Sequence, residues 1–369
     1  MAIIKRGLAT GVTYLLIISA VLANSESIAP EDGWVRTFGG AGEDVGTSVQ
    51  ETKDGGYIVT GSTTSHKKNI AYSWMIKASR IGEIWLIKTD SEGNTLWERT
   101  FGGMGKDIGF MVQETKDGGY IIAGATKPHV IGDYDIWLIK TDSEGNPEWD
   151  KTFGGRGNDW PNAIQQTADG GYIIAGGTES YGAGFNNAFL VKTPRNTNLW
   201  LIKTDSEGNI AWDRTFGGSG FDEGSSVQET DDGGYIVTGY TTSSGAGGSD
   251  IWLVKTDPRG RGLWERTFGG PREDVGFSVR EAKDLGYIVT GSTESFGNGS
   301  KDVWLIKADS NRTKEWDKTS GGPGFDEGIA VKETGHDGNI VAGYTSEQDV
   351  VRSPMLKGSI QSYPLPEKL

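Results

Sequence analysis

The chain has 369 residues, no cysteine, and 50 acidic against 36 basic side chains, a formal charge of −14. Without cysteine it carries no disulfide framework, no thiolate metal centre and no lipid-linked thiol. The acidic balance speaks against nucleic acid and against anionic membrane surfaces as partners.

At the N-terminus Lys5 and Arg6 precede an apolar run from Val12 to Ala23, with small residues before Asn24. That order of charge, apolar stretch and small residues predicts a secretory signal peptide over residues 1–23, cleaved after Ala23, with an uncleaved membrane anchor as the alternative. The run is short of the ~20 residues a spanning helix needs, so the mature form is expected to have no membrane span. Residues 24–33 are expected to be a short linker. An exported fold without disulfides has to rest on core burial.

From Trp34 onward the chain repeats itself. The marker W-x-[RK]-T-[FS]-G-G starts at Trp34, Trp97, Trp149, Trp212, Trp264 and Trp316, with gaps of 63, 52, 63, 52 and 52 residues. The basic unit is therefore 52 residues, and two units carry 11 more. A second marker recurs at Tyr57–Gly61, Tyr120–Gly124, Tyr172–Gly176, Tyr235–Gly239, Tyr287–Gly291 and, worn down, Asn339–Gly343. Only Trp160 of the 13 tryptophans falls outside the repeat positions, which singles it out. The 58 glycines are copies of one turn set rather than a sign of disorder.

Each unit reads as four short strands. In the unit from Trp97 these are WERTFGG (97–103), FMVQET (110–115), YIIAGAT (120–126) and DIWLIKTD (135–142). All are rich in β-branched and aromatic residues and bounded by Gly, Asp and Asn. Lys116-Asp117-Gly118-Gly119 predicts a tight hairpin turn, and Asp142-Ser143-Glu144-Gly145-Asn146 another. No stretch beyond the leader has a 3.6-residue apolar period, so no helix is expected. YIIAG and IWLIK are apolar on both faces, as in a sheet sandwiched between neighbours. The charged WERTF and VQET strands suit an outer rim.

Four strands per unit and six units predict an all-β, six-bladed β-propeller over residues 34–359. The pattern DGGYIVTGST…DIWLIKTDSEGN…WERTFGG resembles the β-propeller repeats of secreted and surface proteins of archaea and bacteria, and covers roughly residues 34–358. That resemblance implies the fold and almost nothing about activity. The Asp-x-x-Gly-Asn-x-x-Trp portion is also similar to the tryptophan-docking repeats of quinone-dependent dehydrogenase propellers. Those have eight blades and a dedicated cofactor site, which this sequence does not show.

Where the repeat is cut predicts how the last blade closes. The start supplies WVRTFGG and TSVQET, and the end supplies NIVAGYT and SPMLKGS. Together they are expected to complete one blade as a two-plus-two clasp, leaving 360–369 as a free tail. The two extra segments, 72–82 and 187–197, are tandem copies of the strand that follows each. One copy is expected to form a long excursion, with a five-stranded, rerouted blade as the competing arrangement.

Alternate connections in an up-and-down blade lie on one side, so the KDGG and DSEGN turns share one end. The variable connections (62–82, 125–134, 177–197, 240–249, 292–301 and 344–352) share the other, where binding usually resides. Trp160, Trp74, Phe189 and Tyr181 are the candidate binding residues at that end. Packing beneath the adjacent excursion is the alternative role for Trp160, and covering a neighbouring blade is the alternative for the apolar stretches holding Trp74 and Phe189.

The same end carries one aspartate per unit: Asp44, Asp107, Asp159, Asp222, Asp274 and Asp326. GGMGKDIGF matches a nonapeptide calcium repeat by letter, but recurs every 52 or 63 residues, which removes the stacked ladder. An Asx turn capping backbone amides is the expected role, and cation binding, with calcium as the ion, is the alternative. No cofactor is otherwise expected. His66, His129 and His336 share no spacing, and no nucleophile elbow, phosphate loop or His-Glu-x-x-His occurs. The expected function is a non-catalytic, monomeric, exported or cell-surface binding module. Its partner is expected to be a protein or glycan rather than a small molecule. An extracellular polysaccharide-active enzyme using loop carboxylates, or a structural surface-layer module, are the alternatives.

Overall fold

The computed structural model describes residues 2–7, 13–18, 33–65, 82–103, 105–127, 133–182, 196–333, 338–345 and 357–364. Every regular element among them is a strand. Strands β1 (Ala2–Gly7), β2 (Thr13–Ile18) and β3 (Gly33–Thr37) form a sheet in the order β2-β1-β3. Then β4 (Asp44–Glu51), β5 (Tyr57–Thr63), β6 (Glu83–Thr89) and β7 (Thr95–Phe101) form the first four-stranded sheet. The second holds β8 (Asp107–Glu114), β9 (Tyr120–Thr126), β10 (Asp135–Thr141) and β11 (Pro147–Phe153). The third holds β12 (Asp159–Gln166), β13 (Tyr172–Thr178), β14 (Asn198–Thr204) and β15 (Ile210–Phe216). The fourth holds β16 (Asp222–Glu229), β17 (Tyr235–Thr241), β18 (Asp250–Thr256) and β19 (Gly262–Phe268). The fifth holds β20 (Asp274–Glu281), β21 (Tyr287–Thr293), β22 (Asp302–Ala308) and β23 (Lys314–Ser320). The last is three-stranded, with β24 (Asp326–Glu333), β25 (Gly338–Thr345) and β26 (Lys357–Pro364). In the sheets from β4 onward strand order follows chain order, and the pairings are antiparallel, as in an up-and-down blade. The chain is thus an all-β, β-propeller-like repeat.

The blade begins at a different point from the one the tryptophan marker suggests. The VQE strand comes first and the WERTF strand last, because the DSEGN turn joins IWLIK to WERTF as a hairpin. Asp90 shows how: its carboxylate accepts the Glu92 and Asn94 amides, and the Gly93 amide donates to its carbonyl. The expected two-plus-two clasp is not the pairing observed. β4 pairs with β5 and opens the first sheet, while β3 pairs with β1. With the blade starting at VQE, only WVRT is left over at the N-terminal end of the repeat. The expected leader supplies β1 and β2, and the expected free tail reaches Pro364 as part of β26.

The chain divides into two compact units, residues 1–171 with 206–209, and residues 172–205 with 210–369. In the first, Ile58, Ile84 and Leu86 of one sheet pack with Val112, Tyr120, Ile122 and Ile139 of the next. In the second, Ile236, Ile251 and Leu253 pack with Val279, Tyr287, Val289, Trp304 and Ile306. The core therefore lies between consecutive sheets. That is why the middle strands carry apolar residues on both faces instead of alternating. Each fully buried Ile or Leu contributes about 1.5–3 kcal/mol.

The edge strands differ from expectation and from each other. VQE strands face the VQE strands of the next sheet, β4 against β8 and β16 against β20. Their edge amides lack a strand partner, and glutamine supplies one. Gln50 Oε1 accepts the Glu114 N–H at 2.8 Å, Gln113 Oε1 the Gln166 N–H at 2.7 Å, and Gln228 Oε1 the Glu281 N–H at 2.9 Å. The polar letters of VQET are inter-sheet fasteners, not rim solubility. WERTF forms the opposite edge. Its Trp97 meets Tyr120 of the next sheet at 5.8 Å, and a Cβ on Gly145 would lie 2.7 Å from the Trp97 ring.

Candidate functional site

Antiparallel pairing places the two ends of each sheet unambiguously. The KDGG and DSEGN turns lie at one end, and the 2–3 and 4–1 connections at the other. The turn end is closed by local chemistry. Lys88 Nζ is buried and meets Asp54 at 2.8 Å, and Lys140 meets Asp117 at 3.0 Å. In the second unit Lys255 meets Asp232 at 2.9 Å and Lys307 meets Asp284 at 2.6 Å. Burial works to raise the Asp54 carboxyl, but hydrogen bonds from Lys88, Thr52 and the Gly56 amide outweigh it and hold it at about 2.

At the loop end, each predicted aspartate is the first residue of its sheet. Five of the six are at most 2 % exposed, and Asp44 is half-buried. Each accepts the amide four residues upstream: Gly40 to Asp44 at 2.9 Å, Gly103 to Asp107 at 3.1 Å, Gly155 to Asp159 at 3.0 Å, and Gly218, Gly270 and Gly322 to Asp222, Asp274 and Asp326 at 2.8 Å. The threonine that ends the second strand donates to the same carboxylate: Thr63 to Asp44, Thr126 to Asp107, Thr241 to Asp222 and Thr293 to Asp274. Ser65, Ser243 and Ser295 add hydroxyl bonds of 2.6–2.7 Å. The carboxylates cap loop amides, but ones four residues upstream rather than in the geometry of an Asx turn, which bonds the backbone two residues on. At Asp44, burial raises the carboxyl pKa, but Ser65, Thr63 and the Gly40 amide bring it below the usual value; at Asp107 burial prevails and raises it. No group of three or more His, Asp or Glu among the described residues could hold a metal ion.

A second acidic position was not foreseen. The third strand opens with Glu83, Asp135, Asp250 or Asp302, and with Asn198 in the third sheet. These side chains meet the glycine loop that leads to the next sheet, where the predicted aspartates also point. Burial, then the neighbouring Asp274, raises the Asp250 carboxyl; burial and Asp326 do the same to Asp302.

Of the predicted binding residues, Trp74 and Phe189 lie outside the described residues. Both 11-residue copies fall almost wholly outside them too. Trp160 is the second residue of β12 and half-buried, so it stands in a strand rather than at a loop tip. Tyr181 is 41 % exposed and tilts against Trp200 at 5.1 Å. Within the same unit, Phe296 is 43 % exposed and tilts against Trp304 at 5.0 Å in the same way. Phe221 and Phe325, each just before a buried aspartate, are 48 % and 46 % exposed, and isolated bridges join them to Thr197 and Lys301. Sequence reasoning missed Phe296, Phe221 and Phe325. Aligning Thr-Glu-Ser-Tyr-Gly (178–182) with Thr-Glu-Ser-Phe-Gly (293–297) would have found the first.

No protein-family model matches the chain, and no curated protein matches it. Among solved structures it is similar to Sqt1 from Chaetomium thermophilum, at 11 % identity over 82 % of this chain and 66 % of that one, with a TM-score of 0.46. It is similar to an acylaminoacyl peptidase from Pyrococcus horikoshii, at 11 % identity over 86 % and 52 %, TM-score 0.38. A third is an exo-β-1,3-galactanase from Phanerochaete chrysosporium with galactose, at 10 % identity over 82 % and 77 %, TM-score 0.39. The chain thus spans just under two thirds of the first and about half of the second.

Proposed function

We propose that this protein is an exported or cell-surface binding module, non-catalytic, that captures a glycan or a protein through the loop end of its sheets. The observation that supports this most is the exposed aromatic set in the second unit, Tyr181, Phe221, Phe296 and Phe325. Rigid aromatics held on a scaffold are effective anchors for a partner. Tyr181 and Phe296 are each backed by a buried tryptophan and bonded through their own amides to Thr178 and Thr293. They are held ready rather than ordered on contact.

In this reading the chain makes six blades. The leader over residues 1–23 directs export. N-terminal sequencing of the secreted protein should begin at Asn24. The binding test compares the wild-type chain with a Tyr181→Ser/Phe296→Ser variant on a glycan array and against purified extracellular proteins. Retention of the wild type on a defined ligand, weakened at least tenfold in the variant, supports the reading. Equal retention of both proteins, or none by either, removes it.

A further inference from the structure

In the second unit two buried carboxylates converge at two of the passages from one sheet to the next, after β19 and after β23. Asp250 opens β18 and Asp274 opens β20, and they are 1 % and 0 % exposed. The loop leaving β19 runs between them. A Cβ built on Gly269 would lie 2.9 Å from Asp274 Oδ2 and nearer still to Asp250 Oδ1. The two oxygens thus approach one common point. Gly321 holds the equivalent place for Asp302 Oδ1 and Asp326 Oδ2, the latter at 2.6 Å.

The hydrogen bonds around the Asp250–Asp274 pair are lopsided. Asp274 is saturated: Thr293 Oγ1 and the Ser295 amide donate to Oδ1, and the Gly270 amide and Ser295 Oγ to Oδ2. Asp250 Oδ2 accepts the Ala246 amide at 2.8 Å, but the buried Oδ1 that faces Asp274 receives no donor. A buried carboxylate oxygen beside a second buried anion is a costly arrangement unless something positive lies between them. None of the four aspartates forms an ion pair with a basic side chain among the described residues. The chain also contains a neutral version of the same place. At Gly217, Asp222 Oδ2 and Asn198 Oδ1 converge at 2.5 and 2.9 Å, and the Asn198 amide nitrogen donates to the Tyr181 carbonyl at 3.2 Å. One carboxylate has become an amide there, and the surplus charge is gone.

We propose that the Asp250–Asp274 and Asp302–Asp326 pairs each bind a calcium-class divalent cation that fastens one sheet to the next at the loop end. A hard cation takes carboxylate and carbonyl oxygens. The glycine-rich segments 245–249 and 297–301 end on carbonyls at the same place, Ser249 O accepting the Asp274 amide at 2.7 Å and Lys301 O the Asp326 amide at 2.8 Å. Bound there, the ion holds the variable connections that carry Phe296 and lead into β18 and β22. Because these are the sites of surplus charge, the Asn198 position is not expected to bind.

The test uses the full chain, stripped with a chelator and titrated with calcium alone by calorimetry and thermal melting. We expect about two or more ions per chain and a melting temperature raised on the order of 5 °C at saturation. The double variant Asp250→Asn/Asp302→Asn copies Asn198. It should bind about two fewer ions and melt, without calcium, at or above the wild-type temperature. Each single variant should lose one ion, so the count stands even if the double variant fails to fold. No binding heat and no melting shift at millimolar calcium would overturn the proposal. So would an unchanged ion count in the variants.

Discussion

The two ends of each sheet solve the same problem in opposite ways. At the turn end a buried lysine sits among acceptors. Lys140 Nζ meets Asp117 and Glu148 and donates to the Thr141 carbonyl, so charge is balanced within one hairpin pair. At the loop end of the second unit the acids arrive in pairs from different sheets, and among the described residues Lys301 pairs with Glu294 and Glu327 rather than with the paired aspartates. The difference teaches where the repeat is self-contained. The turn-end lysine–aspartate pairs close inside one sheet and hardly vary, whereas the loop-end carboxylate pairs are completed by the neighbouring sheet.

The largest expected effect comes from breaking the turn end. Gly145 has φ +77° and lies against the Trp97 ring, so Gly145→Ala combines left-handed strain with a clash. A loss of about 2–4 kcal/mol is expected in chemical denaturation. Gly118→Ala sharpens the point. Its φ is +86°, but nothing lies within 4 Å of its Cβ, so only the strain of about 1–2 kcal/mol should appear. Equal losses in the two variants would show that the tryptophan contact is immaterial.

Acid is the second probe. Asp54, Asp117 and Asp232 are held at about 2, burial being outweighed by hydrogen bonds from a lysine, a threonine and a glycine amide. The folded value lies below the ordinary 3.8. Their stabilisation is therefore complete above about 4 and disappears as pH falls from there towards 2. Melting temperatures should be level down to that window and drop within it. Replacing Lys88, Lys140 and Lys255 with methionine should flatten the drop; an unaltered acid profile would place the sensitivity elsewhere.

Much of this end was legible in the sequence. KDGG and DSEGN are turn letters, and YIVTG and IWLIK are double-faced buried strands. The capping role of Asp44 and its counterparts also follows from their place before a strand. The phase of the blade was not legible, because tryptophan is the loudest letter while the first strand is the quiet VQE. Nor were the glutamine fasteners or the Asp250–Asp274 pair. Their partners come from the next sheet, and a single unit read alone shows only a polar strand and two unrelated acids.

A smaller effect, of opposite sign, tests the turn rule in the fifth sheet. Leu285 and Arg312 occupy the places of turn glycines, at φ 62° and 71°. Leu285→Gly should stabilise by about 1 kcal/mol, seen as a melting rise of about 2–4 °C, because the left-handed strain is relieved. A fall would mean that the half-exposed leucine makes a contact worth more than its strain.

The smallest expected change in stability lies at the loop end. Phe221→Ser and Phe325→Ser should each stay within about 0.5 kcal/mol of the wild type, as exposed sites do. A loss of several kcal/mol in either would assign that ring to the scaffold instead of to recognition.

Gln50, Gln113 and Gln228 have a further consequence. Each seam they close uses the same amide oxygen on the same kind of edge N–H, so one seam is interchangeable with another. Inserting or deleting a whole 52-residue copy at such a seam would create no interface the chain does not already know how to make. Copy number in a gene of this design can drift by unit steps, while a partial copy would strand an unfastened edge.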